Sequence, residues 1–495
     1  MKEHKAKSKQ IGQVFTPRYL VENILNYCDY MGEQILKKHV IDNSCGDGAF
    51  LSVVVERYCK EAIQQRQTLA CIKKDLETYI HGIDTDLAAF NDCRTNLSVV
   101  ANQFGIVDVQ WDLYHQSALS MTQFDGKMDY VVGNPPYVRV HNLESTYNEV
   151  KKYRFANGGM TDLYLAFFEL GFNMLSPKGK LGYITPSSWL NSIAAMNMRQ
   201  YIRMQQNLVS LTDLGHFQPF NATAYTIISV FSKSKHSPTF DYYVYDGETR
   251  ERDFVETLSI DRCYIDNCFY LGTSTQLDTL RKIKTLPLKR LIRVKNGFAT
   301  LADEVFIGED IPDSNITIRV LKASTGKWYQ GLFPYDQKGK ILPPEIALQD
   351  CTVKQHFLNH KQDLLKGRSE YPTWYEYGRT QALLDVWRDK LALNSLCRTT
   401  KDIKTAFVGK GEGLYSGLYI TTDYNIPYED IIAILQSEGF IEYVKMLKKY
   451  KSGGYYTYNS KDVEQYVNSV LTYKSQATYE LINKPKVSQS SFEFF

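Results

Sequence analysis

The chain has 495 residues, of which 43% are hydrophobic and 23% charged, and a net charge of only +3; at roughly 100 to 200 residues per domain this length predicts two to four folding units. No uninterrupted apolar run approaches the ~20 residues of a membrane span, so a helical membrane protein is excluded. The start, MKEHKAKSKQIGQVF, is basic but lacks the apolar core of a secretory signal, so a cytoplasmic location is expected.

The first predicted element is a helix, RYLVENILNYCDYM, entered through Thr16 and Pro17, with proline in the first turn and apolar residues at helical spacing. HVIDNSCGDGAFLSVVVERYCKEAI (39–63) reads as a short buried strand, a turn of small residues and a helix. YIHGIDTD (79–86) is a second strand ending in carboxylates, and KMDYVVGNPPY a third. A helix, a Pro-Lys-Gly turn and a strand occupy 161–190, and NLVSLTDLG and TAYTIISVFSKS continue the pattern to about residue 234. Strands alternating with helices predict an α/β, doubly wound, mostly parallel sheet, in which ligands sit at the carboxyl ends of the strands.

Beyond residue 240 the chain becomes tyrosine-rich and basic, with less regular alternation. The expected division is a first domain over 1–240, a transition over 241–275 and a second domain of mixed α+β character over 276–495. Two basic stretches, RKIKTLPLKRLIRVK (281–295) and YVKMLKKYKSGG (443–454), lie in or beside that second domain. Lysine and arginine clusters suit a phosphate backbone, although such runs are also common on solvated helix faces.

Three motifs carry chemistry. In IDNSCGDGAF, Asp42 ends a strand, and Gly46 and Gly48 enter a helix, so that backbone can approach a ligand while the acid holds an amine or hydroxyl. It is not a dinucleotide fingerprint, because Phe50 and Leu51 stand where the third glycine belongs. Asp84 ends the next strand, where a carboxylate can take ribose hydroxyls or cap a helix. In GNPPY, Pro135 and Pro136 stop a strand and hold the loop after it in one rigid shape. The Asn134 amide oxygen and the Pro135 carbonyl can accept both hydrogens of an exocyclic amine, and Tyr137 can stack on its ring. The nine cysteines are odd in number and form no CxxC pair, which argues against a disulfide framework and a zinc ribbon. No metal site is expected.

The order GQVFTP (12–17), DNSCGDGAF, GIDTD and NPPY resembles the gamma class of S-adenosylmethionine-dependent DNA adenine-N6 methyltransferases of restriction-modification systems. The resemblance implies a Rossmann-like class I methyltransferase domain followed by a target-recognition domain. It implies S-adenosylmethionine as cofactor, held by Phe15, Thr16, Pro17, Asp42, Cys45, Gly46, Gly48, Asp84 and Asn134. Asn134, Pro135, Pro136 and Tyr137 would form the catalytic loop, with Tyr137 and Phe220 on opposite faces of a flipped adenine. Asp162 and Tyr164 match the family's DLY element. Asn43 replaces the family's usual proline, and Ser117 occupies a position where an aspartate is common.

In the second half, VKNGFATLADEVFI (294–307) and WYEYGRTQ (374–381) echo the recognition domain more loosely. Arg293, Lys295, Arg379, Lys448, Lys449 and Lys451 are its candidate DNA contacts. Double-stranded DNA is the implied partner, with a cognate restriction endonuclease beside it and a monomer as the working form. NPPY loops also serve enzymes acting on RNA bases or protein glutamine amides, and a non-catalytic DNA specificity subunit is a further alternative. The large basic second domain and GQVFTP favour DNA.

Overall fold

The computed structural model describes residues 16–140, 147–158, 161–220, 224–285, 287–366 and 373–483. The chain forms two compact units divided between Arg281 and Lys282.

The first unit is built on a nine-stranded sheet. Its strands are β1 (Val40–Asp42), β2 (Ile80–Asp84), β3 (Asp112–His115), β4 (Met128–Gly133), β5 (Leu175–Pro186), β6 (Leu208–Asp213), β7 (Thr226–Ser232), β8 (Thr239–Asp246) and β9 (Glu251–Ser259). They lie in the order β3-β2-β1-β4-β5-β7-β6-β8-β9. The first five strands pair in parallel, and β7 runs antiparallel to its neighbours. Strands buried on both faces are rich in apolar residues, and Val40 and Ile41 of β1 and Val131 and Val132 of β4 are buried. This is the Rossmann-like sheet that the alternating pattern predicts.

Each helix has a local reason. In α1 (Arg18–Tyr27), Leu20, Val21, Ile24 and Leu25 form one buried stripe. The helix α2 (Ala49–Gln64) starts from Gly48 in the left-handed region at φ 85°. The Thr68 and Asp86 side chains cap α3 (Leu69–Tyr79) and α4 (Leu87–Gln103), accepting from the Cys71 and Ala89 amides. The helix α5 (Leu163–Met174) is buried along nearly its whole length. Gly171 lets it settle on β5, since a Cβ there would lie 2.5 Å from Leu181 Cδ1.

Strand order reverses between β1 and β4. Neighbouring connections depart to opposite faces there, opening a crevice outside the carboxyl ends of the two strands. Asp42 is the last residue of β1, Asp84 the last of β2, and Gly133, just before Asn134, the last of β4.

The expected transition over 241–275 is corrected. The tyrosine-rich segment continues the first unit's sheet as β8, parallel to β6, and β9, antiparallel to β8. These outer strands expose Val244 and Phe254, which blurs the buried periodicity that marks inner strands.

The second unit is mixed α+β, as expected. Strands Ile292–Asn296, Leu418–Thr422, Lys390–Leu393 and Thr405–Val408 make one antiparallel sheet. A second four-stranded sheet contains Thr317–Lys322, Lys327–Leu332 and Gly413–Tyr415. A core cluster gathers Phe298, Phe306, Phe333 and Tyr377. The edge strand Ile292–Asn296 is covered by the helix Ser460–Asn483. Asn468 Oδ1 accepts from the Leu291 and Ile292 amides at 2.9 and 3.0 Å, and Glu464 accepts from the Val294 amide at 2.8 Å. Side chains thus satisfy strand donors that would otherwise invite another chain.

Candidate active site

The glycine turn is held through its backbone amides, and a Cβ at Gly46 would meet nothing within 4 Å. The Cys45 amide donates to the Ile83 carbonyl at 2.9 Å, and the Gly46 amide to Asp84 Oδ2 at 2.8 Å. Gly46, at φ 55°, adopts a backbone that glycine takes without a Cβ penalty. At Gly48 a Cβ would stand 2.8 Å from Cys93 Sγ, so glycine is also needed for α2 to approach α4. The Cys45 and Cys93 side chains are both buried beneath the turn.

Two acids flank this turn. Asp42 is 2% exposed. Burial pushes its carboxyl up to about 8, partly offset by the Ser44 amide at 3.0 Å and reinforced by nearby Asp84 and Asp47. Burial also raises Asp84, against the amides of Asp86 and Gly46 that favour its charged form. The two carboxyls at neighbouring strand ends would gain from a positively charged or hydroxyl-bearing ligand.

The proline loop lies against the first of these acids. A Cβ on Gly133 would fall 2.7 Å from Asp42 Oδ1, so only glycine permits this approach. One residue on, Asn134 Nδ2 donates to Thr16 Oγ1 at 3.1 Å. Thr16 is 7% exposed and precedes Pro17, whose carbonyl accepts from the Leu20 and Val21 amides as α1 begins. The start of α1 thereby fixes one face of the Asn134 amide.

Tyr137 is half-buried, with its hydroxyl donating to the Ile184 carbonyl at 3.1 Å and its ring edge-on to Tyr164, centroids 6.5 Å apart. Burial holds its phenol well above the ordinary value, so it stays neutral. Tyr164 is itself set by a 3.1 Å bond with Ser188. The chain leaving the loop is stitched to the DLY element: Leu163 donates to the Val138 carbonyl at 2.8 Å, and Val140 to the Thr161 carbonyl at 3.0 Å.

Thr16, Pro17, Asp42, Cys45, Gly46, Gly48 and Asp84 thus surround the same strand ends as Asn134, Pro135, Pro136 and Tyr137. Phe15 lies outside the described residues. Phe220 is 7% exposed and packs into the first unit's core, so its ring presents little free face. Ser117 Oγ lies 3.5 Å from Glu149 Oε2. Gly133 is the residue that motif reading passes over; the one signal for it is a glycine closing an otherwise apolar strand.

In the second unit, Arg293, Arg379 and Lys451 are exposed. Lys295 and Lys449 are instead ion-paired, at 2.6 and 2.5 Å respectively, with the buried carboxylates of Asp385 and Asp462. Lys448 is half-buried, at φ 54°.

Residues 50–220 match the Eco57I restriction-modification methylase family. The chain is 24% identical to the Type II restriction enzyme and methyltransferase RM.Eco57I of Escherichia coli, over 86% of its own length and 53% of that protein's. It is 27% identical to the Type II methyltransferase M.BstVI of Geobacillus stearothermophilus, over 55% and 50%. The chain therefore spans about half the length of these two relatives. Among solved structures, the Type IIL restriction-modification enzyme MmeI in complex with DNA superposes with a TM-score of 0.61 at 13% identity, covering 93% of this chain and 68% of that one. A DrdV-DNA complex gives 0.54 at 11% identity, covering 94% and 57%. These likenesses show a shared fold. With a Rossmann-like sheet, the ordered strand-end motifs and this match in hand, the chain is related to the methyltransferases of restriction-modification systems.

Proposed function

We propose that this chain transfers a methyl group from S-adenosylmethionine to the exocyclic N6 of an adenine flipped out of double-stranded DNA. The observation that carries the reading is the contact of Gly133 with the Asp42 carboxylate, which sets an acidic ligand pocket back to back with the Asn134-Pro135-Pro136-Tyr137 loop.

The residues present fit the cofactor. Asp42 is buried and holds its proton up to about 8, so a ligand ammonium would favour the charged form that burial and the neighbouring carboxylates disfavour. The Gly46 to Gly48 turn keeps side chains away from a methionine moiety. Each Asp84 oxygen retains lone-pair capacity for a ribose hydroxyl after accepting its backbone amide. When bound, the cofactor supplies an electrophilic methyl on a sulfonium centre.

The chain supplies positioning and acceptors. An aromatic amine is a weak nucleophile because its lone pair is delocalised into the ring. The Asn134 amide oxygen and the Pro135 carbonyl accept its two hydrogens and favour the pyramidal geometry in which that lone pair is free. The Thr16 bond orients the amide so that its oxygen serves this purpose. Tyr137, tethered at its hydroxyl, offers a fixed ring to the base. Phe220 reaches the opposite face only if its segment opens from the core. The surplus proton leaves to solvent.

The second unit's exposed Arg293, Arg379 and Lys451 suit phosphates, which favours DNA over a protein amide. The methyltransferase activity of the named relatives and the DNA in the MmeI and DrdV structures support the same choice. A cognate restriction endonuclease, a monomeric working form and a cytoplasmic location complete the proposal. DNA from cells expressing the chain, digested to nucleosides, should contain N6-methyladenine that is absent with Asn134→Ala; equal amounts in both would overturn the reading.

A further inference from the structure

We infer that Glu149 reads the adenine of the cofactor, accepting a hydrogen bond from its exocyclic amine beside Ser117; this rests on the proposed use of S-adenosylmethionine. Three strand ends lie side by side in the first unit's sheet: Asp42 on β1, Asp84 on β2 and His115 on β3. Asp84 and His115 are register partners in a parallel pair. Neighbouring strands are about 4.8 Å apart, so successive parts of an extended ligand meet successive strand ends. A ligand with its ammonium at Asp42 and its ribose at Asp84 carries its base on towards the end of β3, where the chain runs into Ser117.

Ser117 offers that base only a hydroxyl. The carboxylate beside it comes from a distant part of the sequence: Glu149 Oε2 lies 3.5 Å from Ser117 Oγ, although 32 residues separate the two. Glu149 belongs to a short helix, Tyr147–Val150, whose last residue is fully buried. Just beyond it, Tyr153 gives its amide to the Val150 carbonyl at 3.1 Å and its hydroxyl to the Leu119 carbonyl at 2.7 Å. On the facing side, Ser120 Oγ donates to the Ser117 carbonyl at 3.1 Å, and the Met121 amide to the Ala118 carbonyl at 3.1 Å. The turn after β3 and the segment after the catalytic loop are thereby fixed to one another.

The pairing suits an aromatic amine. Ser117 and Glu149 are both half-buried, open to a ligand and partly shielded from water. Lys151 is engaged elsewhere, 5.4 Å from the centre of the Tyr147 ring and 3.3 Å from the Asn157 carbonyl. A carboxylate only accepts hydrogen bonds, and the adenine amine presents two hydrogens. A site built around such a group rejects an analogue that lacks it, because its buried acceptor is then left unpaired.

The test measures, by calorimetry on the full chain, equilibrium binding of S-adenosylhomocysteine and of its 6-deamino analogue, in which hydrogen replaces the amine. Wild type should prefer the first by roughly ten- to a hundredfold, the worth of a hydrogen bond to a charged group. Glu149→Ala should lose most of that preference while keeping its affinity for the 6-deamino analogue. A purely structural role would weaken both ligands alike and leave the preference intact. Wild-type preference in Glu149→Ala, or a wild type that binds the two ligands equally, overturns the inference. A wild-type chain that binds no S-adenosylhomocysteine removes the underlying reading of the cofactor as well, and is recognised before any variant is made.

Discussion

The side-chain amide of Asn134 donates to the Thr16 hydroxyl at 3.1 Å, joining two residues 118 positions apart in sequence. A hydrogen bond donated by the amide nitrogen decides which way the amide faces. If the oxygen of Asn134 takes an amine hydrogen, Thr16 is the group that keeps it available.

Thr16→Val should therefore lower turnover by tenfold or more while changing substrate KM little, since the lost bond orients a group used in the transition state. Asn134→Ala should abolish turnover with cofactor affinity largely retained. Steady-state methyl transfer and equilibrium cofactor binding on both variants check this. Unchanged turnover in Thr16→Val would sever the link.

Asp42 gives a pH prediction with a definite sign. Its folded-state value of about 8 lies above the ordinary 3.8, so the folded protein keeps a proton that the unfolded chain releases. Stability from this group is greatest at low pH and is lost progressively from about pH 4 to about pH 8. Asp42→Asn, which cannot ionise, should gain melting temperature over wild type across that window. Binding of a cationic ligand that makes Asp42 ionise should release close to one proton near pH 6.5. Calorimetry in two buffers of different ionisation enthalpy measures that proton, and Asp42→Asn should show none.

Gly133→Ala places a methyl 2.7 Å from Asp42 Oδ1 and 3.1 Å from its Cγ. Overpacking of this kind costs about 1–3 kcal/mol. Cofactor affinity should fall with it, because both the acid and the loop must shift. Combined with Asp42→Ala, the stability costs should be strongly non-additive in chemical denaturation. Additivity would show that the two residues do not share this contact.

Lys295 and Arg293 sit two residues apart on one strand and should behave differently. Burial works against the Asp385 carboxylate, yet bonds from Lys295 and Tyr419, each at 2.6 Å, hold it below the ordinary carboxylate range. Lys295→Ala should cost stability on the order of 1 kcal/mol, the lysine being half exposed. Arg293→Ala should leave melting unchanged but weaken DNA binding and reduce its salt dependence by about one phosphate contact. Thermal melts and binding titrations across salt concentrations separate the two.

The sequence made the sheet and the site's main parts legible because each motif is local. A glycine turn, a strand-ending acid and a proline pair announce themselves within a few residues, and the alternating pattern orders them. What it hid was tertiary. The Gly133–Asp42 contact and the Thr16–Asn134 bond depend on how β1, β4 and α1 meet. Strands β8 and β9 were hidden by tyrosines and partly exposed faces, so the segment read as a transition. The basic runs suited a phosphate backbone or a solvated helix face, yet Lys295 and Lys449 answer buried carboxylates that spacing gives no means to match. Phe220 matched a motif, but its burial was set by the surrounding core.

The most direct test is transfer of labelled methyl from S-adenosylmethionine, offered in parallel to unmethylated duplex DNA, RNA and a protein extract, with nucleoside analysis of the product. The account predicts label in DNA, recovered as N6-methyladenine and lost with Asn134→Ala. Label confined to RNA or protein, or recovered in DNA on any base other than adenine, would contradict it.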